Sequence, residues 1–115
     1  MTATPKAPRK TFKDATTTIS NSTSETTILA AVSGFFLDLC SVFVSNTSAT
    51  ATRVDFRSAT AGSVRFSLYV PAGATVGFDK VNPILQAAAG GNWTAQSSAA
   101  VIDLRIFAQA VRNRR

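Results

Sequence analysis

The sequence contains no histidine, a single cysteine (Cys40), and one each of tryptophan, tyrosine and methionine. Without imidazole the chain lacks the side chain that most often serves as acid, base or metal ligand near neutral pH. His-based triads and the usual Cys/His zinc sets are therefore excluded. Lone Cys40 cannot close an internal disulfide, and in its apolar stretch it reads as a small buried hydrophobe. Charged residues make up only 16% of the chain, and just six are acidic. A catalytic pair drawn from Asp38, Asp55, Asp79 and Asp103 is disfavoured, because strand alternation puts these on solvent faces beside Arg53, Arg57 and Arg105 as cross-strand partners. No Gly-rich phosphate loop occurs, and Gly90-Gly91 reads as a turn. No apolar run approaches the roughly 20 residues of a membrane-spanning helix. The opening MTATPKAPRK carries charge with no apolar stretch behind it, so no secretory signal is expected. These absences point away from an enzyme, a cofactor or metal carrier, and a membrane protein.

What is present is 115 residues, room for one domain with one core, of which 45% are hydrophobic. Nineteen of those are alanine, so large apolar side chains are modest in number, while threonine and serine reach 15 and 12. The twelve basic residues leave a formal charge of +6. Lys6, Arg9, Lys10 and Lys13 precede the first acid, Asp14, and Arg112, Arg114 and Arg115 close the chain. The stretch between is close to neutral. Charge gathered at the two ends points to a partner surface of opposite sign.

Composition breaks near residue 27. Residues 1–26 are rich in Thr, Pro and Lys/Arg, with Phe12 and Ile19 as rare large apolar groups. Such a segment buries too little to offset its ordering entropy and reads as an extended arm. From Thr27 onward the pattern is β. Phe35–Ser45 is apolar on both faces, as in a central strand or one facing a neighbouring subunit. Thr52, Val54 and Phe56 alternate with Arg53, Asp55 and Arg57. Val64, Phe66, Leu68 and Val70 are expected to face inward, as are Ile102, Leu104, Ile106 and Ala108. Turns are expected at Asn46–Ala51, Ala59–Gly62 and Pro71–Gly73, with a corner at Asn82-Pro83. Ile84–Ala89 fits either a strand or a single helical turn. Seven or eight short antiparallel strands joined by such turns describe an all-β sandwich or jelly roll over residues 27–111, with a basic tail at 112–115. Tyr69, Trp93 and Phe107 are the aromatic residues expected at the surface. They are not interleaved with the basic ends, so a stacking nucleic-acid interface is disfavoured, and non-specific phosphate binding by the basic ends stands as a second alternative function.

The run Ile28–Ala110 adds a resemblance. Leu29-Ala30-Ala31-Val32, Asn46-Thr47-Ser48-Ala49-Thr50, Pro71-Ala72-Gly73 and the final alternating strand resemble small virion structural proteins of tailed bacteriophages. The chain departs from that pattern at Phe35-Phe36 and at Val76–Asp79. The resemblance implies a capsid decoration (cement) protein found in the virion and made in the host cytoplasm, with a tail or head–tail connector component as the alternative. It also implies the major capsid protein or other virion proteins as partners, and a homo-oligomer, preferably a trimer. On this reading Lys6, Arg9, Lys10, Phe12, Lys13 and Ile19 form a capsid-binding arm, with Thr16–Ser20 adding as a strand to a neighbour. Phe35, Phe36 and Phe43 form the oligomer interface. A chain lacking residues 2–26 is then expected to fold. No catalytic residue, metal, cofactor or small-molecule substrate is implied.

Overall fold

The computed structural model describes residues 12–114. Eight strands follow one another: β1 (Phe12–Ile19), β2 (Thr26–Leu29), β3 (Phe36–Asn46), β4 (Thr52–Arg57), β5 (Val64–Val70), β6 (Thr75–Ile84), β7 (Trp93–Ser97) and β8 (Leu104–Asn113). They form two four-stranded sheets of order β1-β8-β3-β6 and β2-β7-β4-β5, every pairing antiparallel. The chain changes sheet at nearly every connection, and β4–β5 is the hairpin between sequence neighbours. This is the strand order of a jelly-roll sandwich. The all-β expectation holds.

Alternation explains the core. Leu104, Ile106, Ala108 and Ala110 of β8 are buried, while Arg105 is exposed and the residues between the others are partly covered. Val54 and Phe56 point inward from β4, and Leu39, Val42 and Val44 from β3. Phe66 stacks on Phe56 with ring centroids 4.6 Å apart, which fills the space between the sheets. The turns follow their chemistry. Ala74 N donates to Pro71 O while Gly73 takes φ +70°, and Gly62 N donates to Ala59 O. Buried Asn46 closes the loop after β3: its Nδ2 donates to Thr50 O at 2.8 Å, and its Oδ1 accepts from Ser48 N at 3.0 Å.

Several expectations need correction. The segment 12–19 is not a free arm: it is strand β1, paired along its whole length with β8 from Phe12↔Val111 to Ile19↔Leu104. Its alternation was masked by threonine, because Ala15, Thr17 and Ile19 face the core while Thr16 and Thr18 face out. Ile19 is 3% exposed, part of the core and not available as a surface anchor. Thr16–Ser20 accordingly completes this chain's own sheet. At the other end β8 runs to Asn113, so Arg112 belongs to the sheet and not to a loose tail. Trp93 is fully buried, and its Nε1 donates to Leu37 O at 2.6 Å. Asp38, placed at the surface from its polarity, is also fully buried. Val64 and Ile102 are exposed instead of inward. For Ile102 the reason is local: residues 98–103 lie outside the ladder and are tied by Asn21 N to Val101 O and Thr47 N to Asp103 O, so Val101 turns inward instead. Strand β6 continues through Asn82-Pro83 to Ile84, which an edge position beside a bulge permits, because Pro has no N–H to donate.

The pairing of β1 reverses the expected effect of truncation. Deleting residues 2–26 removes Ile19 from the core and uncovers the ladder of β8. The truncated chain should lose its cooperative unfolding transition in urea and aggregate, whereas a chain that still unfolds with an unchanged midpoint would contradict the role given to β1.

Candidate functional site

The two outer sheet faces differ in chemistry. On the β1-β8-β3-β6 sheet the register sets side chains in rows. Thr16, Phe107, Phe43 and Gly77 share one row, with Asp14, Gln109, Ser41 and Asp79 on one side of it and Thr18, Arg105, Ser45 and Thr75 on the other. Phe12 and Val111 pair one row further along. Phe43 is 41% exposed, and its ring lies over Gly77. A Cβ at residue 77 would collide with Phe43 Cδ1 and with the backbone carbonyl of Val42, so glycine is required beneath that ring. The centre of this face is therefore aromatic, flanked by acids on one side and Arg105 on the other.

The β2-β7-β4-β5 sheet presents a hydrogen-bonded polar surface. Arg53 Nε donates to Asp55 Oδ1 at 2.9 Å and its NH2 to Oδ2 at 3.2 Å. Ser67 donates to the same carboxylate. Arg57 Nε donates to Gly62 O at 2.9 Å and its NH1 to Gln96 Oε1 at 2.7 Å, while Gln96 Nε2 donates to Thr23 O at 2.9 Å. Glu25 accepts from Thr94 Oγ1 and from Ala61 N, which pins the loop before β2 to the β4–β5 turn where Ala61 has φ +60°. The expected Arg–carboxylate pairing thus exists, but Arg53 and Asp55 are neighbours along β4 and not across strands.

Both carboxylates stay ionised below their ordinary range. The hydrogen bond from Thr94 lowers Glu25 most; desolvation opposes it, and the Ala61 amide and the Arg57 charge help. For Asp55, partial burial acts upward but is outweighed by hydrogen bonds from Arg53 and Ser67 and by the charges of Arg53 and Arg57. Depressed folded pKa values mean stability that is present above the unfolded carboxylate values, about 4, and lost as pH falls through the folded ones. Glu25→Gln and Asp55→Asn should each flatten the acid limb of a stability–pH curve measured between pH 2 and pH 6, the range roughly spanning those values. An acid limb identical to that of the parent chain in both variants would contradict this assignment.

The remaining residues singled out from sequence divide as follows. Lys6, Arg9 and Lys10 lie outside the described residues. Phe12 and Lys13 open β1, with Phe12 exposed and Lys13 partly covered. Phe35 is half-buried, with the Arg114 guanidinium 4.5 Å and that of Arg112 5.7 Å from its ring centroid, so its face is covered from within the chain. Arg112 Nε is, among the described residues, the buried side-chain polar atom without a hydrogen-bond partner. Phe36 is half-buried at the start of β3, and Phe43 alone of the three lies in the open centre of a sheet face. Phe107, read from sequence only as an exposed aromatic, belongs beside it. The signal was its register with Phe43, which the sequence does not print. Cys40 is buried, its Sγ donates to Gln109 O at 3.2 Å, and burial pushes its thiol upward. Among the described residues no group of three or more Asp, Glu or Cys gathers as a metal site would require.

This is a jelly-roll sandwich whose described surface has one aromatic-centred and one polar sheet face. No protein family model and no curated protein matches the sequence. Solved structures do match, and one of the matching chains is similar to this one over its whole length. It comes from work titled "Bacillus endospore appendages form a novel family of disulfide-linked pili", with 14% identity, a TM-score of 0.51, and coverage of 99% of this chain and 98% of that one. At that identity the likeness is one of fold.

Proposed function

We propose that this protein is a non-enzymatic structural subunit that works in many copies, packing through the outer face of its β1-β8-β3-β6 sheet. The observation that carries the reading is the Phe43–Phe107 row, in which Phe43 is 41% exposed at the centre of the sheet face beside half-buried Phe107. A small sandwich gains stability by covering such a face with another protein surface. The flanking rows suit a second copy. Arg105 on one side of the Phe107–Phe43 row and Asp14 and Asp79 on the other offer charge of both signs for a neighbouring copy to meet.

The finer reading is a bacteriophage head decoration protein, supported by the motif resemblance over Ile28–Ala110. There Lys6, Arg9 and Lys10, ahead of β1, supply cationic contacts to an acidic shell surface. The tail or connector position is the alternative within that class. A filament subunit is the second reading, favoured by the full-length fold likeness to a chain described as forming pili. That protein's pili are described as disulfide-linked. Here Cys40 is buried and its thiol pushed upward, so assembly on any of these readings is non-covalent.

Two outcomes follow. Light scattering at tens of micromolar should report an oligomer, with three subunits expected on the decoration reading, and Phe43→Asp with Phe107→Asp should reduce it to a folded monomer. A parent chain that is monomeric at that concentration, or a double variant that still assembles, would overturn the packing face. Reversing Lys6, Arg9 and Lys10 to Glu should leave the unfolding midpoint unchanged while lowering occupancy on purified phage heads. Full occupancy of that variant would remove the basic segment from the attachment role.

A further inference from the structure

The opposite sheet face carries a second site. An open cavity of about 380 Å³ is lined by Thr23, Arg53, Asp55, Gln96, Ser97 and Ser98. It lies where β7 meets β4, with the loop before β2 as its wall. Strand register extends it. Gln96 pairs with Asp55, which pairs with Ser67, and the next row sets Ser98 beside Arg53 and Arg53 opposite Tyr69. Tyr69 is 65% exposed, a large aromatic with no packing role to explain its position. Two strand spacings separate the Gln96 and Tyr69 columns, about 10 Å, a span that holds one six-membered sugar ring with its substituents.

The chemistry of the lining decides the ligand class. Arg53 and Asp55 neutralise each other through two hydrogen bonds, so the cavity has no net charge with which to prefer an anion or a cation. What it offers instead is a mixed set of donors and acceptors held in place before a ligand arrives. Gln96 is fixed by Arg57 and Thr23, Ser98 Oγ accepts from Arg53 N at 3.0 Å, and Ser67 is fixed by Asp55. After these bonds the Arg53 guanidinium retains N–H donors and Asp55 Oδ2 a lone pair as an acceptor, a donor and an acceptor held together for two adjacent hydroxyls. Tyr69 supplies an apolar ring face beside them with a polar tip. Neutral, fixed, doubly polar and edged by one exposed aromatic, the site matches a polyhydroxylated ligand and not a phosphate.

We infer that the Tyr69–Arg53–Asp55–Gln96 surface binds a neutral saccharide, with one ring against Tyr69 and a vicinal hydroxyl pair on Arg53 and Asp55. The inference is independent of the assembly reading, because it uses the opposite sheet. A shallow, solvent-open site of this kind gives millimolar affinity for a single ring, and many copies on one particle would multiply it through avidity.

The test is a titration of the isotope-labelled full chain by two-dimensional amide NMR. The probes are the methyl glycosides of mannose, galactose and N-acetylglucosamine, with inorganic phosphate as the anion control. At least one glycoside should give saturable shifts confined to Arg53, Asp55, Tyr69, Gln96 and Ser98. Tyr69→Ala should weaken that binding by about two- to tenfold, Tyr69→Phe should restore it, and both variants should keep the parent spectrum elsewhere, because the side chain is exposed. Absence of saturable shifts with all three glycosides, shifts with phosphate in their place, or shifts on the Phe43 face would overturn the assignment.

Discussion

The two sheets are held in register by a buried polar clasp around Leu37. Its amide N donates to Gln86 Oε1 at 2.7 Å, and its carbonyl accepts from Trp93 Nε1 at 2.6 Å, so one backbone position joins β3 to the loop after β6 and to β7 of the other sheet. Gln86 continues the network. Its backbone N donates to Asp38 Oδ1 at 2.9 Å, and its Nε2 donates to Gly91 O at 2.8 Å and to Ser58 O at 3.0 Å. Asn113 Nδ2 closes the far side on Asp38 Oδ2 at 2.6 Å. An unpaired donor or acceptor at the buried members of this network costs about 1–3 kcal/mol, so the clasp favours the one sandwich geometry that pairs them all.

The division of the surface depends on that rigidity. With the sheets fixed face to face, Phe56, Phe66, Phe78 and Trp93 are consumed by the interior, where their rings pack at stacked, edge and tilted angles. Of the aromatic residues left over, Phe12, Phe107 and Phe43 fall by register on the outer side of β1, β8 and β3, and Tyr69 stands alone on the outer side of β5. Polar pairs fall on the outer side of β4, β5 and β7. One side of the slab is suited to packing against protein, the other to hydrogen-bonding a small polar ligand.

Much of this architecture was legible in the amino-acid pattern, and the failures have physical causes. β4 announces itself because Val54 and Phe56 alternate with Arg53, Asp55 and Arg57, and β8 because Leu104, Ile106, Ala108 and Ala110 recur at every second position. β1 did not, because Thr serves both faces of a strand. A run such as TTTI reads as polar until its partner β8 is known to cover the inner side. Trp93 follows Gly-Gly-Asn and precedes polar residues, so local context placed it outside, while its burial comes from a carbonyl 56 positions away. Gln86 stands beside three alanines and shows nothing of its role until the tertiary fold brings Leu37 and Ser58 to it. Of the residues proposed for packing, Phe43 sits at the centre of an open face, Phe35 is covered by the chain's own arginines, and Ile19 lies in the core. Phe107 joined the site only through strand register, a relation that lies between segments and not within one.

The central claim is that copies meet on the sheet face centred on Phe43 and Phe107. Uniform 4-fluorophenylalanine labelling places a reporter at all eight phenylalanines, and fluorine NMR over a concentration series reads them separately. The account predicts that the Phe43 and Phe107 signals shift and broaden as concentration rises, while Phe56, locked in the core, does not move. Signals of Phe43 and Phe107 that stay fixed while another residue responds, or a spectrum that does not change with concentration at all, would contradict it.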